Sequence, residues 1–323
     1  MKKLPKKTPN KAFNNILWIY LSSIFFILVL FFLIFWPKLS IVQQRPEEKK
    51  VLGFKDLLLP LFPYPINKGV SLPPELSSRS VIVIDVDSSV VLFEKNSRER
   101  LFPASTTKIM TGLIALENYK LDQIIKIGDL KIEGNTIKLI PGEEITVENL
   151  LKGLLVGSGN DAAIALSENF PQGTDGFVWA MNQKAKQYLM NDTYFTNPVG
   201  WDENNHLTTS FDLARLSLQA MKNPIIADIV SQKEVVLGDA TGEISHDILS
   251  TNELVGKIEG VKGIKTGWTE KAGGCLVMLM EKDNHRIVSV VLGSNDRFGE
   301  SKKLADWVFE NYSWEIIAPP NQQ

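Results

Sequence analysis

Ser80-Val-Ile-Val-Ile-Asp-Val86 is apolar and mostly β-branched, and two further strongly apolar runs, Cys275 to Glu281 and Arg286 to Leu292, lie near the other end of the chain. Runs of this length bounded by turn residues read as buried strands. Val90 to Lys95 reads as the return of a hairpin through Asp87-Ser88-Ser89, and Ile264 to Trp268 as an edge of the late sheet. Between them the apolar spacing is helical: from Pro103-Ala-Ser105 to about Tyr119, Thr146 to Val156, Asp161 to Asn169, Thr174 to Leu189, and from a cap at Ser210 to Lys222. Ser301 to Tyr312 reads as a last helix. Strands, then helices, then strands is not the alternation of a parallel βαβ fold. The order predicts an α+β domain: an antiparallel sheet whose first and last strands meet, flanked by helices, with a mostly helical subdomain.

Ahead of this domain the character of the chain changes. Residues 1–15 hold five lysines and no acid, and Ile16 to Trp36 are 21 residues without a charge. A helix of that length spans about 30 Å, the thickness of a hydrocarbon core. Trp18, Tyr20 and Trp36 lie toward its ends, as interfacial aromatics do. Pro37-Lys-Leu-Ser40 follows, with no small-x-small cleavage site, which favours a retained anchor over a cleaved signal peptide. The expected organisation is a cytoplasmic basic segment (1–15), a transmembrane helix (16–36), a stalk with seven prolines (37–75), the exported domain (76–314) and a short tail (315–323).

The net charge of the whole chain is −2, and five positive charges precede the apolar span, so residues 37–323 carry −7. An acidic domain of this kind argues against nucleic acid as a partner. The single cysteine, Cys275, excludes an internal disulfide and reads as packed in a strand. His206, His246 and His285 are scattered, with no HExxH or CxxC, so neither a metal nor a cofactor is expected, and the histidines read as loop or surface residues.

Three short motifs carry the chemistry. Ser105-Thr-Thr-Lys108 puts a hydroxyl and an amine on one helical face, one turn apart. A serine needs a base to become a nucleophile, and a lysine serves only when neutral, which at pH 7 requires a shift of about 3 units, or roughly 4–5 kcal/mol. Burial and a second cation both push that way. Ser158-Gly-Asn160 interrupts two helical runs, where a turn can aim a hydroxyl and a carboxamide into a cleft. A second Ser-x-Asn, Ser250-Thr-Asn252, ranks lower because it lies in a loop only 15 residues before the third motif, Lys265-Thr-Gly267. There a lysine and a hydroxyl can meet a carboxylate, and Gly267 permits close backbone approach. The motifs follow one another at intervals of 53 and 107 residues (Ser105 to Ser158, Ser158 to Lys265). Each is loose alone; the ordered set is closely related to one known in β-lactamases and penicillin-binding proteins, although the middle motif here is Ser-Gly-Asn where many β-lactamases carry Ser-Asp-Asn.

With these motifs the chain resembles the low-molecular-mass penicillin-binding proteins, the serine D-Ala-D-Ala carboxypeptidases of peptidase family S11. The resemblance runs from about Pro73 to Trp314 and includes Phe195-Thr-Asn-Pro-Val-Gly-Trp-Asp202 and Ser210-Phe-Asp-Leu-Ala214. It implies a β-lactamase/transpeptidase-like fold and removal of the terminal D-alanine from peptidoglycan stem peptides. Ser105 would form the acyl-enzyme, Lys108 take its proton, Ser158 relay a proton to the leaving amine, and Asn160 hold Lys108 and the substrate amide. Lys265 and Thr266 would receive the terminal carboxylate, with the oxyanion between the N–H groups of Ser105 and Trp268. β-Lactams are the implied inhibitors. D,D-endopeptidase and β-lactamase activity are the alternatives on this scaffold; the second needs a water-activating glutamate, and Glu168 and Glu203 are poorly set for it. Many family members carry a second β-rich domain and a C-terminal membrane helix; here neither is expected after the domain, and the anchor is N-terminal.

Overall fold

A computed structural model describes residues 18, 22–30, 63–129 and 132–317. The chain separates into two compact units, residues 1–59 and 60–323. In the first, Trp18 and residues 22–30 are helical and their side chains are exposed. No helix among the described residues is long and apolar enough to cross a membrane. The anchor expected over 16–36 falls largely outside the described residues.

In the second unit a five-stranded antiparallel sheet runs in the order β3-β2-β10-β9-β8. Its strands are β2 (Ser80–Asp85), β3 (Val91–Lys95), β8 (Val261–Thr269), β9 (Gly273–Lys282) and β10 (His285–Ser294). The first hairpin therefore lies against the last one, with Val288 opposite Ile84 and Val290 opposite Ile82. Every residue of β2 is buried because both faces of the sheet are covered. Val81 and Val83 share a core cluster with Leu304 and Val308 of α7 (Arg297–Asn311), while Ile82 and Ile84 belong to the larger core shared with the helices. Double coverage explains why this strand reads as a continuous apolar run.

The helical region holds α1 (Lys108–Asn118), α2 (Val147–Leu155), α3 (Asn160–Glu168), α4 (Gly173–Gln187), α5 (Ser210–Ala220) and α6 (Pro224–Val230). α5 packs against the sheet at β2 and β10. Its cap is Thr209, whose hydroxyl accepts from Asp212 N at 3.0 Å, and not Ser210, whose hydroxyl instead pairs with Ser80 Oγ at 2.8 Å. α6 was not anticipated, although Asn223-Pro224 carries its signal: the Asn223 side chain caps Ile225 N at 2.9 Å and Pro224 opens the helix.

Three two-stranded ladders complete the unit: β1 (Tyr64–Asn67) with β11 (Tyr312–Glu315), β4 (Ile124–Lys126) with β5 (Glu144–Thr146), and β6 (Glu234–Gly238) with β7 (Ser245–Leu249). The first of these shifts a boundary. Residues 64–67, read from their prolines as part of a stalk, pair with residues 312–315 at the far end of the chain. The domain edge at residue 76 therefore moves back, and Glu315 belongs to a strand and not to a tail.

Candidate active site

The nucleophile segment does not enter an α-helix at once. Ala104–Thr107 form a 3-10 turn, and the α-helix begins at Lys108. Ala104 sits at φ +49° and Ser158 at φ +58°. Left-handed backbone costs a non-glycine residue about 1–3 kcal/mol. One strained residue thus lies immediately before the first motif and another opens the second, their conformations fixed by the surrounding packing. The turn leaves Ser105 partly exposed while Thr106, Thr107 and Lys108 are buried.

Lys108 Nζ lies 2.9 Å from Ser105 Oγ, 2.8 Å from Asn160 Oδ1 and 2.9 Å from Val199 O. An ammonium would donate to all three. A neutral amine can keep Asn160 and Val199 and turn its lone pair to the serine hydroxyl. Burial pushes the Lys108 pKa well below its ordinary value, and the charge of Lys265 pushes it further the same way, against a smaller opposing pull from Asp161. Both shifts favour the neutral, proton-accepting form.

Asn160 opens α3, and its Nδ2 donates to Glu133 O at 2.7 Å, which fixes the amide so that Oδ1 faces Lys108. The Asn135 side chain closes the same corner: its Nδ2 donates to the carbonyls of Gly157 and Ser158. Asp161 anchors the loop segment 135–139 by accepting from Ile137 N and Leu139 N. Ser158 as a residue is 5% exposed.

The third motif lies in β8, the sheet edge. A Cβ on Gly267 would come within 2.8 Å of Ser105 N and 2.9 Å of Ala104 Cβ. The glycine is therefore required by the nucleophile turn itself, and not only by a ligand. Lys265 is 1% exposed; its Nζ donates to Thr266 O at 3.0 Å and reaches Thr251 Oγ1 at 3.4 Å. Burial, then the nearby Arg297, lower its pKa to about 7. Thr266 Oγ1 donates to Thr251 Oγ1 at 3.2 Å. Trp268, 63% exposed, stands at the rim. Asp202 ties the Trp201 loop to the end of this strand, accepting from Thr269 Oγ1 at 2.7 Å.

Lys108 bonds to Ser105 and Asn160, and Gly267 packs on Ser105 N, so the three motifs meet between the helices and the sheet edge. Thr251, Val199, Asp161 and Asn135 join them without having been anticipated. Thr251 belongs to the Ser-x-Asn set aside in the sequence; its signal was proximity to Lys-Thr-Gly. Two histidines also differ from expectation. His206 is fully buried, with Nδ1 accepting from Thr196 N at 3.0 Å and Nε2 at 2.9 Å from Thr107 Oγ1. A backbone donor at Nδ1 makes Nε2 the protonated nitrogen, donating to Thr107 inside the first motif. Burial lowers its pKa to about 4, against an opposing pull from Asp202. His246 is buried against Glu143, Nε2 to Oε1 at 2.9 Å. Cys275 is buried as expected, and burial lifts its thiol to about 12, which leaves it unreactive. Arg297 lies over the Phe298 ring, 4.6 Å from its centroid, and acts on Lys265 by charge.

A nucleophile turn, a buried lysine one turn on, and Ser-x-Asn and Lys-Thr-Gly segments facing them at the edge of an antiparallel sheet define the active-site-serine, penicillin-binding class of α+β domains. The chain belongs to the D-alanyl-D-alanine carboxypeptidase family S11, whose model matches residues 67–296. It is 34% identical over 255 residues to the D-alanyl-D-alanine carboxypeptidase DacF of Bacillus subtilis; the match covers 76% of this chain and 65% of that protein, just under two thirds of its length. Among solved structures, a penicillin-binding protein homolog from Mycobacterium tuberculosis superposes with TM-score 0.71 at 30% identity, over 76% of this chain and 96% of that one. The DD-transpeptidase of Streptomyces K15 does so with TM-score 0.70 at 26% identity, over 74% and 100%.

Proposed function

We propose that this protein is a serine D-Ala-D-Ala carboxypeptidase that removes the terminal D-alanine from peptidoglycan stem pentapeptides. One observation carries the reading: a buried lysine with a depressed pKa sits 2.9 Å from the hydroxyl of a partly exposed serine. Lys108 takes the Ser105 proton as Oγ attacks the carbonyl of the penultimate D-alanine. Help of this kind is worth roughly 10²–10⁴-fold. The oxyanion lies between the N–H groups of Ser105 and Trp268, where each donor is worth about 10²–10³-fold. The C–N bond then breaks, Ser158 passes the proton to the departing amine, and D-alanine leaves. Water hydrolyses the ester and restores Ser105. Asn160 steadies Lys108 and the substrate amide; Lys265, Thr266 and Gly267 border the carboxylate site.

β-Lactams fit the same site because they present a strained amide beside a carboxylate. Rapid release of the opened drug has little support. Glu168, at the exposed end of α3, lies about 12 Å along the helix from Asn160, and Glu203 is exposed in its loop. The uncharged span 16–36 behind five lysines supports a single-pass anchor with the domain outside the cell. Protease added to intact spheroplasts should then digest the domain, whereas survival until lysis would contradict the orientation. For the activity, the full chain is incubated with a stem pentapeptide and D-alanine release is followed by mass. Release that disappears in Ser105→Ala is expected; no release from the wild type would overturn the reading.

A further inference from the structure

Lys108 Nζ meets three oxygens, and one of them, Val199 O, belongs to none of the three motifs. It lies in the segment 196–202, which contains no helix or strand. Where that carbonyl points is therefore decided by the turn that carries it.

Asn197 shapes this turn. The residue is 5% exposed, and its Oδ1 accepts from Val199 N at 3.2 Å, Gly200 N at 2.7 Å and Trp201 N at 3.1 Å. Its Nδ2 donates back to Trp201 O at 3.3 Å. One buried side chain thus satisfies three successive backbone donors that no secondary structure pairs. The turn is also fastened to the first motif. Thr111 Oγ1 in α1 donates to Pro198 O at 2.6 Å. Gly200 sits at φ +97°, and a Cβ on it would lie 1.9 Å from Ala104 O, so the turn packs directly on the residue before Ser105.

The contact with Lys108 has two chemical consequences. A neutral amine has two N–H groups and one lone pair. With the N–H groups on Asn160 Oδ1 and Val199 O, the lone pair is left for the Ser105 hydroxyl. Once Lys108 holds the serine proton, the same carbonyl accepts from an ammonium, and a bond to a charged donor is the stronger one. Val199 O therefore raises the proton affinity of Lys108, against burial and Lys265, which lower it.

We propose that Asn197 is a positioning residue of the reaction: it shapes the turn that places Val199 O on Lys108, and so sets the aim and the proton affinity of the base from outside the three motifs. The proposal rests on the reading of Lys108 as the base for Ser105.

The test follows D-alanine release and penicillin acylation by the full chain from about pH 5 to about pH 10. In Asn197→Ala three backbone donors lose their acceptor and Val199 O is released from its place. kcat should fall on the order of 10²-fold, the loss expected of a misplacement of about 1 Å, while KM stays within about threefold. The rising limb of kcat/KM reports loss of a proton from the base of the free enzyme. It should move to lower pH by about 0.5–1 pH unit. The charged groups that face Lys108 are Lys265 of β8 and Asp161 of α3. Neither is altered, so the movement reads the lost carbonyl. Asn197→Asp keeps an oxygen for the three donors and should recover most of the lost rate, with the limb moved the opposite way by its negative charge. A limb that stays in place in Asn197→Ala, a loss confined to KM, or an Asn197→Asp as slow as the alanine variant overturns the role. If Asn197→Ala does not fold, Thr111→Val decides, because it removes the hydroxyl that holds Pro198 O: a limb moved to lower pH supports the proposal and an unmoved limb overturns it. A wild type that neither releases D-alanine nor is acylated overturns the reading of Lys108 itself.

Discussion

Gly267 and Ser105 are packed backbone to backbone: a Cβ on residue 267 would stand 2.8 Å from the Ser105 nitrogen. The sheet edge and the nucleophile turn are therefore spaced by the absence of a side chain. The Ser105 N–H is also half of the proposed oxyanion site, so a small displacement here reaches the chemistry.

Gly267→Ala should push β8 away from Ala104 and Ser105. Overpacking typically costs about 1–3 kcal/mol, and a misplacement of about 1 Å costs on the order of 10²-fold in rate. Acylation by penicillin should slow by about that factor while the fold survives in a thermal melt. An alanine variant that acylates at the wild-type rate would show that the contact does not set the spacing.

Burying Lys265 carries a stability cost whenever its amine is charged. Its pKa falls from 10.5 to about 7 in the fold, so the unfolded chain binds the extra proton between those values. Stability should therefore rise with pH from 7 toward 10.5, and the cost, up to about 5 kcal/mol, is greatest below pH 7. Lys265→Met should raise the melting temperature more at pH 6 than at pH 9, and should abolish turnover. A pH-independent or negative change in melting temperature would contradict the burial argument.

His206 works in the opposite range. Its pKa drops from 6.5 to about 4 on folding. The unfolded chain thus gains a proton as pH falls through 6.5 while the folded chain resists until about 4, and stability is lost across that window, by up to about 3 kcal/mol. His206→Asn should flatten the loss between pH 6.5 and 4 relative to wild type. It should also lower the acylation rate through Thr107 with little change in substrate KM. An unchanged acid profile would mean that the ring is not held neutral.

Much of the fold was legible because the signals were strong and local. The β-branched run at Ser80–Asp85 and the paired apolar runs Cys275–Glu281 and Arg286–Leu292 made the meeting of first and last strands readable. The three motifs gave the reacting groups, since their chemistry depends on residue type and order. What escaped reading depended on distant pairing. β1 was hidden by its prolines and is a strand only because β11 lies beside it. The β6–β7 hairpin has short alternating stretches, with Val235, Leu237, His246 and Ile248 buried and the residues between them exposed, too brief to stand out. Thr251 and His206 carry no motif; they matter because folding brings them to Lys265 and Thr107.

The most direct measurement is the mass of the full chain after incubation with penicillin, with the modified residue mapped by peptide sequencing. The account predicts one adduct of the drug's full mass on Ser105, long-lived, absent in Ser105→Ala, and formed roughly 10²–10⁴-fold more slowly in Lys108→Ala. No adduct on the wild type, or an adduct on Ser158 or Ser250, would contradict it.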